Sequence, residues 1–119
     1  MSNTVTKLDM IAGALSESIA ANIVKADEAM ETLELMNITS EKYREASETL
    51  ARYAYANTFL ARVLNVIATD DIKKTENIMR FHSHQLLKKG SIGENDGISE
   101  AQLDVAIKLK SLIERFFED

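Results

Sequence analysis

The sequence has no cysteine, no proline and no tryptophan, and only four glycines and 6% aromatic residues. Without cysteine it forms no disulfide, offers no thiolate to zinc and has no thiol nucleophile. Without proline, and with three glycines gathered between Gly90 and Gly97, the chain has almost no punctuation outside one loop. Long hydrophobic runs are missing too. No apolar stretch reaches membrane length, and the first thirty residues mix acids with alanines instead of leading from a basic start into an apolar segment. A cytoplasmic protein with no membrane association is the expectation.

Charge narrows the range of partners. Fourteen basic and nineteen acidic side chains leave a net charge of −5, which suits broad nucleic-acid binding poorly, because such binding draws most of its affinity from phosphate neutralisation. The balance is uneven: residues 1–68 hold six basic and nine acidic groups, residues 70–89 five and three, and residues 90–119 three and seven. Nucleic acid is therefore an alternative partner only through Lys73, Lys74, Arg80, Lys88 and Lys89, which form no single tidy face.

What the sequence has in quantity is helical periodicity. Leu8, Ile11, Leu15, Ile19, Ile23, Ala26, Met30 and Leu33 make one long stripe. Thr6 is its expected cap, with Asp9 as capping-box partner and Val5 and Met10 as staple. Asn37 ends this helix, and Thr39 starts a second, stapled by Ile38 and Tyr43. The second stripe reads Tyr43, Ala46, Leu50, Ala54, Asn57, Ala61, Leu64 and Ala68. The next boundary lies in ATDDI, residues 68–72. Either Thr69 or Asp70 caps a third helix there, with Asp71 suiting its positive end, or the second and third helices run on with a kink. Ile72, Thr75, Met79, His82 and Leu86 carry the third stripe to Lys88 and Lys89, and Gly90 is its expected stop. A fourth helix, Glu100 to Phe117, aligns Val105, Leu109, Leu112 and Phe116. The predicted fold is a single all-α domain over residues 1–119, an antiparallel bundle of two long and two short helices. The long pair, ~45 Å each against under ~30 Å for the short pair, leaves its ends uncovered unless a second chain covers them or the first helix bends at Gly13.

Several stretches invite a catalytic or metal reading. In MRFHSHQ, residues 79–85, the two histidines stand about 200° apart around a helix and cannot share one ion there. His82 falls on the apolar stripe and reads as a hydrogen-bonded core imidazole; His84 faces water. ENDG, residues 94–97, resembles a calcium loop until the register is tested: with Gly97 at position six, Ile92 and Leu103 fall at the ligand positions one and twelve. Ser99 as helix cap with Gln102 accounts for those residues better. Glu28 and Glu31, and Glu45 and Glu48, are E-x-x-E pairs, each on one helical face. The E-x-x-D that all-helical nucleotide pyrophosphohydrolases of the MazG kind add, and the E-x-x-H of di-iron bundles, are both absent. Arg80 and His84 are one residue too close for the arginine–histidine motif of HEPN-class helical RNases, and Phe81 replaces the usual polar neighbour. No phosphate-binding glycine loop and no nucleophile elbow occur. No cofactor is expected, and a metal-dependent helical hydrolase on the glutamate pairs is a minor alternative.

The positive signal is surplus apolar surface. Between Leu50 and Ala68 the second helix is apolar around most of its circumference, with Tyr55 beside its polar strip. The first helix carries Met10, Val24 and Leu35 roughly opposite its main stripe. Phe116 and Phe117, being adjacent, are expected to split, one entering the core and one left as an anchor. Met10, Val24, Leu35, Tyr55 and Phe116 are accordingly the expected partner-binding residues. They point to an acidic helical interaction protein (an adaptor, a small assembly subunit or an inhibitor of a partner protein) that forms a homo-oligomer, most simply a dimer.

Overall fold

Two apolar stripes on one helix organise this fold. A computed structural model describes residues 3–91 and 100–118, with side chains described over residues 7–87 and 101–118. It contains α1 (Asn3–Leu35), α2 (Glu41–Ile67), α3 (Ile72–Ser91) and α4 (Glu100–Phe117), and no strand among the described residues. The four helices form a bundle. α1 and α2 pair along their length as an antiparallel hairpin, and α3 and α4 pair with each other across one face of its base.

The core sits at that base. Leu8, Ile11 and Leu15 of α1 meet Ala56, Leu60 and Val63 of α2, Met79 and Leu86 of α3, and Val105, Leu109 and Leu112 of α4. Beyond this level α3 and α4 give out, and the hairpin continues as a two-helix arm. The molecule accordingly measures 56 × 31 × 19 Å, with a radius of gyration of 16.2 Å, against about 13–14 Å for a compact chain of this length. The α1 stripe changes character along the way: Leu15 is fully buried, whereas Ile23 and Met30 are 47% and 45% exposed.

The core stripe of α2 is not the expected one. Ala56, Phe59, Leu60, Val63 and Ile67 are buried, while Ala54, Ala61 and Ala68 are exposed and Leu50, Asn57 and Leu64 half-buried. Of the expected stripe only Ala46 is fully covered. The bulkier set turned inward because it removes more apolar area from water at comparable helical cost.

The helix ends also differ in detail. α1 begins at Asn3, ahead of the expected cap Thr6, and closes at Leu35. Asn37 Oδ1 then accepts from the Thr39 N–H and hydroxyl, both at 3.0 Å. Thr39 is thus held in the turn, and Ser40 caps α2 by accepting from the Tyr43 N–H at 3.1 Å. Ile38 is 72% exposed and staples nothing. The helix passes through Gly13, where an added methyl group would meet only open space. α3 runs one residue past Gly90, to Ser91.

At ATDDI the two helices are separate. Asp70 takes the left-handed conformation, φ 59°, its N–H donating to the Ile67 carbonyl at 2.9 Å. Among non-glycine residues, aspartate is one of the few that tolerate this region. Asp71, rather than Thr69 or Asp70, then caps α3, its carboxylate accepting from the Lys74 N–H at 3.0 Å. Asp71→Ala is expected to lower stability by about 1 kcal/mol, measured as a fall in the urea midpoint at unchanged slope. An unchanged midpoint would remove Asp71 from the capping role.

Candidate interaction surfaces

Residues three or four apart share a helical face, and residues eleven apart fall within about 20° of each other. Met10, Val24 and Leu35 therefore form one line on the outer side of α1, away from α2. They are 48%, 56% and 80% exposed. Glu17, Glu28 and Glu31, also exposed, stand on the same side of the helix. The outer face of the arm is thus a row of bare apolar side chains interleaved with carboxylates, ending beside exposed Ile38 at the tip.

Tyr55 opens a second surface. Its ring, half exposed, meets Phe59 edge-on at 5.0 Å; Phe59 meets His82 at 5.1 Å, and His82 meets Phe81 at 5.7 Å. The row starts at the surface of α2, passes through the core and emerges at Phe81, 59% exposed. Phe81 lines an open, mostly apolar groove of about 480 Å³ with Val66 and Ile78.

His82 is buried, as its stripe position requires, but the expected hydrogen bond is missing: neither ring nitrogen has a partner. Burial holds its pKa below the ordinary 6.5, and the positive charge of Arg62 adds to the effect. His84, on the other side of the helix, is exposed. It borders a charged cleft of about 410 Å³ shared with Arg80, Lys110, Glu114 and Glu118.

Phe116 is not a free anchor. Both Phe116 and Phe117 are partly buried and packed against the core, with Arg115 over the Phe116 ring at 5.0 Å and Lys7 over that of Phe117 at 5.6 Å. Adjacent residues did not have to choose between core and solvent, because α4 ends there and the core edge wraps both.

Among the basic residues of α3, Arg80 is bound to Glu76 at 2.8 Å and Glu118 at 3.2 Å, and Lys73 lies 3.7 Å from Glu76. These cations lower the Glu76 pKa, the Arg80 hydrogen bond contributing most. Lys74 is exposed. Lys88 and Lys89 stand in the last turns of α3, their side chains outside the described set, and Glu94, Asp96, Gly97 and Ser99 lie outside the described residues. Of the glutamate pairs, Glu48 pairs with Arg44 at 2.5 Å and lies 3.8 Å from Arg52, while Glu28 and Glu31 are exposed. Among the described residues no three histidine, aspartate or glutamate side chains come together as a metal-holding group, and no described helix is long and apolar enough to cross a membrane. No family model, curated protein or solved structure matches this chain.

Proposed function

We propose that this chain is a helical protein–protein interaction module, an adaptor, small assembly subunit or inhibitor that acts in the cytoplasm by occupying a partner's surface. The observation that carries this reading is the outer face of α1, where Val24 and Leu35 stand 56% and 80% exposed with no core to serve. Glu17, Glu28 and Glu31 beside them favour a partner with a basic surface, since complementary charge speeds encounter while the apolar side chains supply the lasting contact. The chain also forms a homo-oligomer in this reading, because the arm leaves apolar surface bare on more than one side.

The test is affinity capture of the tagged full chain from its host's lysate, with and without nuclease, beside the variant carrying both Val24→Glu and Leu35→Glu. A protein retained in stoichiometric amount by the parent chain, resistant to nuclease and lost by about tenfold or more from the variant, is the expected result. Equal retention by both chains would remove the outer face of α1 from the interface. Retention abolished by nuclease would instead assign binding to Lys73, Lys74, Arg80, Lys88 and Lys89.

A further inference from the structure

Residues 49–69 contain Arg52 and Arg62 and no acidic side chain, and residues 72–89 contain five basic side chains and a single acid, Glu76. In a chain of net charge −5, these two stretches carry the opposite sign from the outer face of α1. Glu76 is already engaged by Lys73 and Arg80, and Arg80 also by Glu118. Arg62 and Lys74 are exposed and have no ion-pair partner among the described residues. They bracket the apolar groove of Val66, Ile78 and Phe81. Lys74 lines it directly, one turn before Ile78. Arg62 stands one turn before Val66, at the Phe81 end: its guanidinium lies 5.9 Å from the Phe59 ring, and that ring meets His82, the neighbour of Phe81, at 5.1 Å. From Lys74 to Phe81 is seven residues, about 10 Å along the helix.

We propose that this groove takes an acidic amphipathic helix of a partner protein, with its apolar side chains among Val66, Ile78 and Phe81 and its carboxylates on Lys74 and Arg62. The proposal rests on reading the chain as an interaction module. It adds a second docking surface whose charge preference is the reverse of the first. A chain with both surfaces occupied joins a basic partner on α1 to an acidic one on α2 and α3.

Each property of the groove narrows the occupant. Phe81 is 59% exposed and stands with half-buried Val66 and Ile78 around about 480 Å³ of open groove, which suits large apolar side chains presented from a second surface. A small molecule is held in sites that bury most of it, and this groove does not enclose its contents. An extended segment gains its affinity by pairing with a strand edge, whereas α2 and α3 are helices whose backbone groups are already bonded to one another. A helix has the required geometry: residues seven apart fall within about 20° of each other and span the same ~10 Å that separates the ends of the groove. Charge then decides the sign. Among the described residues lining the groove the only charged side chain is Lys74, and Arg62 supplies a second cation, so carboxylates are the matching groups. Nucleic acid fits less well. Two unpaired cations fall short of the roughly six to ten phosphate contacts of a salt-sensitive complex, and Val66 and Ile78 offer no hydrogen bond to a base.

The test is selection of a displayed library of helical peptides, randomised along one face, against the tagged full chain. Enriched peptides should carry acidic residues about seven positions apart with large apolar side chains between them, and their binding should weaken as salt rises. Phe81→Ala should weaken it about tenfold or more, and Arg62→Glu with Lys74→Glu should turn the selection toward basic peptides. All three positions are exposed, so the helical circular dichroism should not change. Enrichment of neutral or basic peptides by the parent chain, or of none, overturns the proposal, as does binding that survives Phe81→Ala. A single-stranded oligonucleotide that binds the parent chain and is lost with Phe81→Ala gives the groove to nucleic acid and overturns it too. The variant carrying both Val24→Glu and Leu35→Glu should enrich the same peptides as the parent. Their loss from that variant would place the peptide site on α1, overturning the groove while leaving the interaction module standing.

Discussion

Leu60→Ala is expected to cost roughly 3 kcal/mol of folding stability, and Leu50→Ala, ten residues away on the same helix, well under half of that. Leu60 is fully buried, between the side chains of all four helices, so its removal loses transfer free energy and leaves a cavity that the rigid base cannot close. Leu50 is only half-buried on the two-helix arm, where truncation exposes no enclosed void. Chemical denaturation of the two variants measures the difference as a shift in midpoint at common slope. Equal losses would mean that both stripes of α2 are core, and that α3 and α4 do not lie on the Leu60 side alone.

That contrast also marks how far the sequence could be read. The four helices and the bundle were legible, because apolar residues recur at helical spacing over long windows and Leu8, Ile11 and Leu15 turn inward as expected. Periodicity fixes the angle of a stripe but not what covers it. Ile23 and Met30 continue the α1 stripe faultlessly and are nevertheless half bare, because at this level α4 meets α1 only on the side of Ser18, Ala21 and Asn22. On α2 two stripes fit the same period. The stripe richer in alanine satisfies that period as well as the buried one, and only side-chain volume distinguishes Phe59, Leu60, Val63 and Ile67 as core. The α2–α3 break was ambiguous because its left-handed residue is Asp70, not glycine. Of the surface residues singled out, Met10, Val24, Leu35 and Tyr55 stand exposed, since an isolated apolar residue opposite a core stripe has nowhere else to go. Phe116 differs because α4 ends at the core edge, a tertiary fact that no local pattern records.

Phe59→Ala is expected to cost roughly 3–5 kcal/mol at neutral pH, and distinctly less in acid. The neutral-pH loss follows from deleting a buried aromatic ring that holds edge contacts to Tyr55 and His82. The pH dependence follows from His82. With both nitrogens buried and unpartnered, its folded-state pKa lies below 6.5. As pH falls through 6.5 the unfolded chain takes up a proton that the folded chain refuses, so stability is full above that pH and declines below it until the folded-state pKa is reached. Removing Phe59 admits water to the imidazole, which then titrates nearer its ordinary value and loses less on acidification. The two stability curves therefore converge between neutral pH and the folded-state pKa. Urea midpoints for both chains across that window test this, and His82→Phe, which has no imidazole to protonate, should flatten the parent's decline. Curves that stay parallel would mean that His82 is already hydrated in the folded chain, and that the aromatic row from Tyr55 to Phe81 does not keep water out.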